Sequence, residues 1–260
     1  MLALPPRQMD ILDLARRKGR VDVETLAAHF SVTPQTIRKD LNDLCDMERL
    51  HRVHGGAVFP SSTVNLAWQE RRDIASGAKQ RIADRAASLI PDGSSVILNI
   101  GTTVEQVAHG LRRHHDLMVI TNNLNVATIL SDAPGVELVI SGGMVRKADG
   151  GIVGEAAIDL IRQFKVDCAV IGASAIDADG ALLDFDYREV RVARAILEQA
   201  RVKMLVADTT KFERRAPVQI GHLGDIDTFI TDAAPPDEIA EICARAGVDL
   251  IVTDTENDIG

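Results

Sequence analysis

The chain has 260 residues, 46% of them hydrophobic and 26% charged, a composition expected of a soluble globular protein able to bury one or two cores. No run of about 18 apolar residues occurs and the first residues lack the order of a signal peptide, so neither a membrane span nor a secretory leader is expected. The net charge of −9 is uneven: residues 1–58 carry nine Lys and Arg against eight Asp and Glu, and the acidity lies in the remainder, which excludes a long polyanion as partner of that second part only.

In chain order, Pro5-Pro6 opens a first helix with Met9, Ile11, Leu12, Leu14 and Ala15 on or near its inner face. Gly19 stops it after the basic last turn Arg16-Arg17-Lys18, which suits the helix dipole. Val21-Asp22-Val23 is a short extended piece, and Asp22 can cap a short second helix with Val23, Leu26, Ala27 and Phe30 inward. In Phe30-Ser-Val-Thr-Pro-Gln-Thr-Ile-Arg-Lys-Asp-Leu41, Thr33 is an N-cap type and Pro34 takes the first helical position, where its missing N–H costs nothing. Ile37, Leu41, Leu44 and Cys45 form one buried stripe of this third helix, which runs to about Met47. The opposite face carries Gln35, Thr36, Arg38, Lys39 and Asn42, side chains suited to base edges and phosphates. Two short extended runs then flank Gly55-Gly56, a hairpin placed as a wing, with Arg52 and His54 available to phosphate or minor groove.

Residues 7–59 resemble the DNA-binding domain of the DeoR family of bacterial repressors, on Phe30-Ser-Val-Thr-Pro-Gln-Thr-Ile-Arg-Lys-Asp-Leu41 and Arg52-Val-His-Gly-Gly-Ala57. The resemblance implies a winged helix-turn-helix that reads double-stranded operator DNA with Thr33, Gln35, Thr36, Arg38, Lys39, Arg52 and His54. Glu48 departs from the family, which often has a glycine there. Residues 1–59 are thus expected to form the DNA-binding domain, 60–76 a polar linker, 77–254 a second domain and 255–260 a tail.

Beyond the linker the pattern alternates. Apolar runs at 96–100, 117–121, 136–140, 168–171, 204–207, 228–230 and 250–252 read as strands. Helical patterns at 79–89, 104–111, 124–130, 157–164, 189–199 and 237–246 separate most of them. Continuous apolar strands alternating with helices predict a mostly parallel α/β sheet covered on both faces. In such folds ligands sit beyond the carboxyl ends of the strands. The first five runs are followed by Gly101-Thr102-Thr103, Asn122-Asn123, Ser141-Gly142-Gly143 with Arg146, Gly172-Ala-Ser174, and Asp208-Thr-Thr-Lys211. Glycine backbone, hydroxyls, helix N-termini and a lysine suit a small phosphorylated, hydroxylated ligand. His114-His115 has no metal-ligand partner at a useful spacing, so neither metal nor cofactor is expected.

The second part is also similar to the DeoR family, whose sensor domain resembles ribose-phosphate isomerases in fold. Within that family, Pro60-Ser-Ser-Thr-Val-Asn65, Thr121-Asn-Asn-Leu-Asn-Val-Ala127, Asp149-Gly-Gly-Ile-Val-Gly-Glu155 and Phe185-Asp-Tyr-Arg-Glu-Val-Arg191 resemble members responding to sn-glycerol 3-phosphate. That likeness implies sn-glycerol 3-phosphate as effector, a homo-oligomer, a tetramer, as the DNA-binding form, and repression in the cytoplasm. The residues alone reach only a small phosphorylated polyol. The isomerase kinship keeps an enzyme in play, with Glu189 near the place of its base. Yet the catalytic set is broken: Gly172-Ala-Ser-Ala175 holds no carboxylate, and Leu183-Asp-Phe-Asp186 stands where a glycine-rich, lysine-bearing loop belongs. Asp184 and Asp186 are left to bind ligand hydroxyls or to hold a loop. The alternatives are a repressor that answers a different sugar phosphate, and a DNA-binding scaffold that has no effector.

Overall fold

In a computed structural model, which describes residues 4–18, 20–47, 49–53, 55–58 and 74–254, the chain divides into two units between Ile74 and Ala75. The readings at Gly19, Glu48, His54, 60–73 and 255–260 lie outside the described residues.

The first unit comprises α1 (Pro6–Lys18), β1 (Arg20–Asp22), α2 (Val23–Phe30), α3 (Pro34–Asp46), β2 (His51–Val53) and β3 (Gly56–Val58). Asp22 caps α2, accepting from the Thr25 N–H at 2.8 Å. Thr33 caps α3, accepting from the Thr36 N–H at 3.2 Å, with Pro34 in the first turn. Ile37, Leu41 and Leu44 of α3 pack on Ile11, Ala15, Leu26 and Ala27, while Cys45 is half-buried at the margin. One face of α1 differs from expectation: Met9 is exposed and Gln8 is buried. Helical spacing explains it, because Gln8, Ile11, Leu12 and Ala15 share a face from which Met9 is turned by about 100°. Gln8 is accommodated by polar partners, donating to Asp43 at 3.1 Å and Asp40 at 3.3 Å. Asp40, also buried, accepts from Arg7 Nε at 2.6 Å. A charge-assisted clamp thereby ties α1 to α3 beside the apolar stripe.

The wing is a three-stranded antiparallel sheet in the order β1-β3-β2, with Val53 opposite Gly56. Its two glycines serve different needs. Gly55 turns the chain at φ +76°, whereas a Cβ on Gly56 would lie 2.1 Å from the Val21 carbonyl oxygen of β1.

The second unit begins with α4 (Ser76–Ser88), three residues earlier than the 79–89 pattern suggests. It continues with β4 (Ser95–Leu98), α5 (Thr102–Leu111), β5 (Leu117–Thr121), α6 (Leu124–Leu130), β6 (Val136–Ile140), β7 (Met144–Val145) and β8 (Ile152–Val153). Then follow α7 (Glu155–Ile161), β9 (Val166–Ile171), β10 (Ala175–Ile176), β11 (Ala181–Asp184), α8 (Tyr187–Gln199), β12 (Ala200–Val206), β13 (Val218–His222), β14 (Thr228–Thr231), α9 (Asp237–Ala246) and β15 (Asp249–Val252). Seven strands form one sheet in the order β15-β14-β12-β9-β4-β5-β6, every pair parallel. Alternation divides each central strand between two cores. Val96, Leu98, Val119, Val170, Val206 and Ile230 face α4, α5 and α6. Ile97, Ile120, Ile171, Leu205 and Phe229 face α7, α8 and α9. The short antiparallel sheet β10-β11-β13 and the hairpin β7-β8 have no counterpart in the expected pattern. Met144 stands on that hairpin and is exposed. Among the described residues no helix is long and apolar enough to cross a membrane.

Gly56→Ala should destabilise the first unit by about 2 kcal/mol or more, since either β1 or the hairpin must move. Denaturation followed by a probe in that unit checks this; an unchanged midpoint contradicts the close approach.

Candidate functional site

On the first unit, Gln35, Arg38, Lys39 and Asn42 are exposed along α3, with Thr36 half-buried. Thr33 is spent on the cap, and its hydroxyl also meets that of Thr36 at 2.9 Å. Arg52, on the wing strand β2, hydrogen-bonds the Asn42 side chain, which brings the wing cation to the helix face. Arg38 and Arg52 line a common hollow of about 290 Å³ with Glu24, whose carboxylate lies 3.8 Å from Arg38. Both partners are exposed, so this ion pair is weak and a phosphate can displace it.

In the second unit, parallel pairing puts every strand's carboxyl end on one edge. Strand order reverses between β4 and β9, because the chain runs outward through β5 and β6 and returns beside β4. In parallel sheets ligands bind beyond the strand ends at such a switch point. Gly101, at φ +150°, leads directly into α5, whose first turn has no side-chain cap. The N–H groups of that turn have no acceptor within the helix, and Thr102 and Thr103, both buried, stand beside them. Asn123 caps α6, accepting from the Asn125 N–H at 2.9 Å. Asn122 fastens the β7-β8 hairpin, its amide donating to the Ile152 carbonyl at 3.2 Å. Gly142 and Gly143 are exposed at the rim. Beyond β12, Asp208 opens a short 3-10 turn (Thr209–Lys211), and the Lys211 ammonium lies 3.7 Å from its carboxylate. Asp208 is fully buried, which would raise its pKa, yet the pKa is lowered because Lys211, the Thr210 hydroxyl and Lys79 outweigh burial.

Among the described residues, five buried oxygens at this edge have no hydrogen-bond partner: Asn99 Oδ1, Asn122 Oδ1, Ser141 Oγ, Asp208 Oδ2 and Thr231 Oγ1. They follow or end β4, β5, β6, β12 and β14. Buried polar atoms are ordinarily satisfied, so a row of them marks a place where a polar ligand or water is accommodated. Asn99 and Thr231 escape a sequence reading because each sits inside or at the end of an apolar run.

Arg146 and Asp184 belong to an adjoining cluster. Arg146 bonds Asp149 at 2.6 Å, Asp186 at 3.2 Å, and Glu189. Asp184 accepts from the Ser174 hydroxyl at 3.0 Å and the Phe185 N–H at 2.6 Å. Asp186 caps α8 and is lowered to about 2, chiefly by Arg188. Arg146 therefore arrives with three carboxylates already on it. Burial works against its charge, but Asp149 and Glu189 raise its pKa nonetheless. Glu189 shares that guanidinium with two others and lies beside Asp184. Burial and that neighbour push it up to about 8, so it is the member of the cluster that takes up a proton. Asn125 joins the cluster to α5, donating at 2.9 Å both to Glu105 and to the Asp149 carbonyl. Among the described residues no group of His, Cys, Asp and Glu is arranged to hold a metal ion.

A winged helix with an exposed basic helix face, joined to a parallel α/β unit with a polar carboxyl edge, defines the class. Residues 7–63 match the DeoR-like helix-turn-helix domain and residues 74–233 the DeoR C terminal sensor domain. The chain belongs to the DeoR family. It is 47% identical to the glycerol-3-phosphate regulon repressor of Escherichia coli (strain K12), over 94% of this chain and 97% of that protein. It is 45% identical to the protein of the same name from Haemophilus influenzae, over 88% of this chain and 89% of that one. Ribose 5-phosphate isomerase A from Methanocaldococcus jannaschii matches at a TM-score of 0.40 and 15% identity, covering 53% of this chain and 55% of that one.

The Glu189 environment has a measurable sign. Its proton leaves the unfolded chain near the ordinary value of 4.5 and the folded chain near 8. Between those values only the folded chain keeps the proton, so this contribution to stability is present at low pH and lost as pH rises through the window. Glu189→Gln should therefore lose less stability than the native protein between about pH 5 and about pH 8. Identical denaturation profiles would contradict the assignment.

Proposed function

We propose that the chain is a cytoplasmic transcriptional repressor of genes for glycerol and glycerol 3-phosphate metabolism, released from its operator by sn-glycerol 3-phosphate. The observation that carries this is the 47% identity, over 94% of the chain, to a regulon repressor of that name. A homotetramer presents paired α3 helices to a pseudo-palindromic operator, each helix lying in a major groove. Gln35, Thr36, Arg38 and Lys39 read base edges and phosphates, with Thr33 as cap and first backbone contact. Arg52 and His54 anchor the wing to the backbone.

The effector binds at the carboxyl edge, beyond β4 and β9. Its phosphate is taken by the first turn of α5 at Gly101, Thr102 and Thr103 and by Lys211. Its hydroxyls reach the acceptor oxygens at Asn122, Asn123 and the Ser141-Gly142-Gly143 turn, with Arg146 and Asp184 holding the wall. An effector shifts the DNA-binding equilibrium only through unequal affinity for two states. A coupling of about 1–3 kcal/mol weakens operator binding roughly 5- to 150-fold.

One observation favours an enzyme instead: Glu189 is a buried carboxyl with a raised pKa. It is, however, bonded to Arg146, and the end of β9 supplies Ala173 and Ser174 instead of carboxylates. The proposal is a switch without catalysis.

A gel shift on the promoter of the adjacent operon tests the reading. The native protein should bind, Arg38→Ala should bind about ten-fold or more weakly, and sn-glycerol 3-phosphate should release both. Ribose 5-phosphate should neither release the complex nor be isomerised. Unchanged affinity of Arg38→Ala would remove α3 as the reading helix, and release by another sugar phosphate alone would replace the effector.

A further inference from the structure

Leu98 of β4, Thr121 of β5 and Ile140 of β6 stand in one register across three neighbouring parallel strands. The next residues along are Asn99, Asn122 and Ser141. Pairing carries on to them: the Ser141 N–H donates to the Thr121 carbonyl at 2.9 Å, and the Asn99 N–H to the Val170 carbonyl of β9 at 3.1 Å. Asn99, Asn122 and Ser141 therefore occupy adjacent positions of one row, with about 4.8 Å between neighbouring strands. Alternation sets them on the face of Ile97, Ile120 and Val139, the side that packs toward α7 and α8.

The three side chains are 2%, 0% and 3% exposed, and in each the side-chain oxygen has no hydrogen-bond partner among the described residues. The hairpin β7-β8 closes over them. The Ile152 N–H donates to the Asn122 carbonyl at 2.7 Å, and the Asn122 side-chain amide donates back to the Ile152 carbonyl at 3.2 Å. The amide nitrogen of Asn122 is thereby engaged, and its oxygen is the free end. A Cβ on Gly151 would lie 2.4 Å from the Ile100 side chain, so the same hairpin also reaches the chain just beyond Asn99. The chemistry of the row is one-sided. An amide oxygen only accepts, and its complement is a donor. A phosphate oxygen does not meet that need, whereas a ligand hydroxyl does. Thr231 Oγ1, likewise unpartnered, is separated from Asn99 by β12 and β9 and stands outside the row.

We infer that Asn99 is a specificity-determining residue of the effector site, and that with Asn122 and Ser141 it forms a row that reads the hydroxyls of the ligand. This rests on the reading of the carboxyl edge as the effector site. It adds Asn99 to the contacts and gives the ligand a direction, with the phosphate at the first turn of α5 and the carbon chain laid across the ends of β4, β5 and β6. The ligand class that fits carries free hydroxyls on neighbouring carbons beside its phosphate. A phosphorylated chain that lacks one of them leaves a buried acceptor unmet, which rejects it more strongly than a loss of apolar contact does.

The test pairs a change in the protein with a change in the ligand. Calorimetry on the full-length native protein and on Asn99→Leu reads the affinity for three compounds: sn-glycerol 3-phosphate, propane-1,3-diol monophosphate, which lacks the middle hydroxyl, and propane-1,2-diol 1-phosphate, which lacks the terminal one. Leucine keeps nearly the volume of asparagine and removes the amide. A thermal melt reports that the variant is folded. The native protein should bind each analogue about ten-fold or more weakly than sn-glycerol 3-phosphate. Asn99→Leu should bind sn-glycerol 3-phosphate about ten-fold more weakly and should no longer distinguish it from one of the two analogues. If the native protein binds all three compounds alike, hydroxyls are not read and the inference fails while the phosphate site stands. If Asn99→Leu is weakened but discriminates as the native protein does, its role is structural and the inference fails. Native affinity and discrimination in Asn99→Leu overturn it too. If the native protein does not bind sn-glycerol 3-phosphate, the reading of the edge fails and the inference with it. Should Asn99→Leu not fold, a crystal structure of the native protein with sn-glycerol 3-phosphate decides. A ligand hydroxyl within hydrogen-bond reach of Asn99 Oδ1 supports the inference; water alone at that atom overturns it.

Discussion

Seven strands that all run the same way oblige the carboxyl ends of all seven to fall on one edge of the sheet. This constraint does more than any single contact to shape the molecule. It gathers segments separated by more than 130 residues, from Asn99 to Thr231, into one polar rim. It also leaves the two faces free to be wholly apolar, which is why the strands read as unbroken runs of Val, Ile and Leu. The crossing back from β6 to β9 then puts the switch point of the strand order at the β4–β9 boundary, on the edge where α5 starts without a side-chain cap.

Burial sets the electrostatics of that rim. Lys79, Asp208, Glu189, Asp184 and Asp149 are all removed from water; Asp208 is held by Thr210 and Lys211 of its own turn, and Asp149 and Glu189 by Arg146. Arg146 answers for three acidic side chains at once, and burial, with Asp184 alongside, pushes Glu189 up to about 8. In the first unit the same rule operates on a smaller scale, where the buried Asp40 accepts hydrogen bonds from Gln8 and from Arg7. Polar groups tie α1 to α3, while Ile37, Leu41 and Leu44 are fully buried in the apolar core beside them.

Much of the fold was legible because its signals are local. Thr33-Pro34 and the stripe at Ile37, Leu41 and Leu44 define α3, and the seven apolar runs became the seven strands of the parallel sheet, with ends displaced by a few residues. The two-residue strands β7, β8 and β10 carry no usable periodicity and were not. The site was legible only as a set of turns. That Gly101, Asn122 and Lys211 share an edge follows from strand direction. Arg146 meeting Asp149, Asp186 and Glu189 depends on how a hairpin folds over α8, which no spacing encodes. Lys79 looks like any helix-surface lysine until α4 is packed on β12 and β14. Met9 and Gln8 exchanged places for a comparable reason: composition favours the methionine inside, whereas helix geometry and Asp40 favour the glutamine.

A metabolite-operated switch makes a reciprocal demand on its two ligands. The most direct test measures both halves on the same preparation: operator affinity with and without saturating sn-glycerol 3-phosphate, and sn-glycerol 3-phosphate affinity with and without saturating operator. The two ratios should be equal, and roughly 5 to 150 in size. An affinity for sn-glycerol 3-phosphate that is the same on free and operator-bound protein would contradict a switch, however tightly either ligand binds.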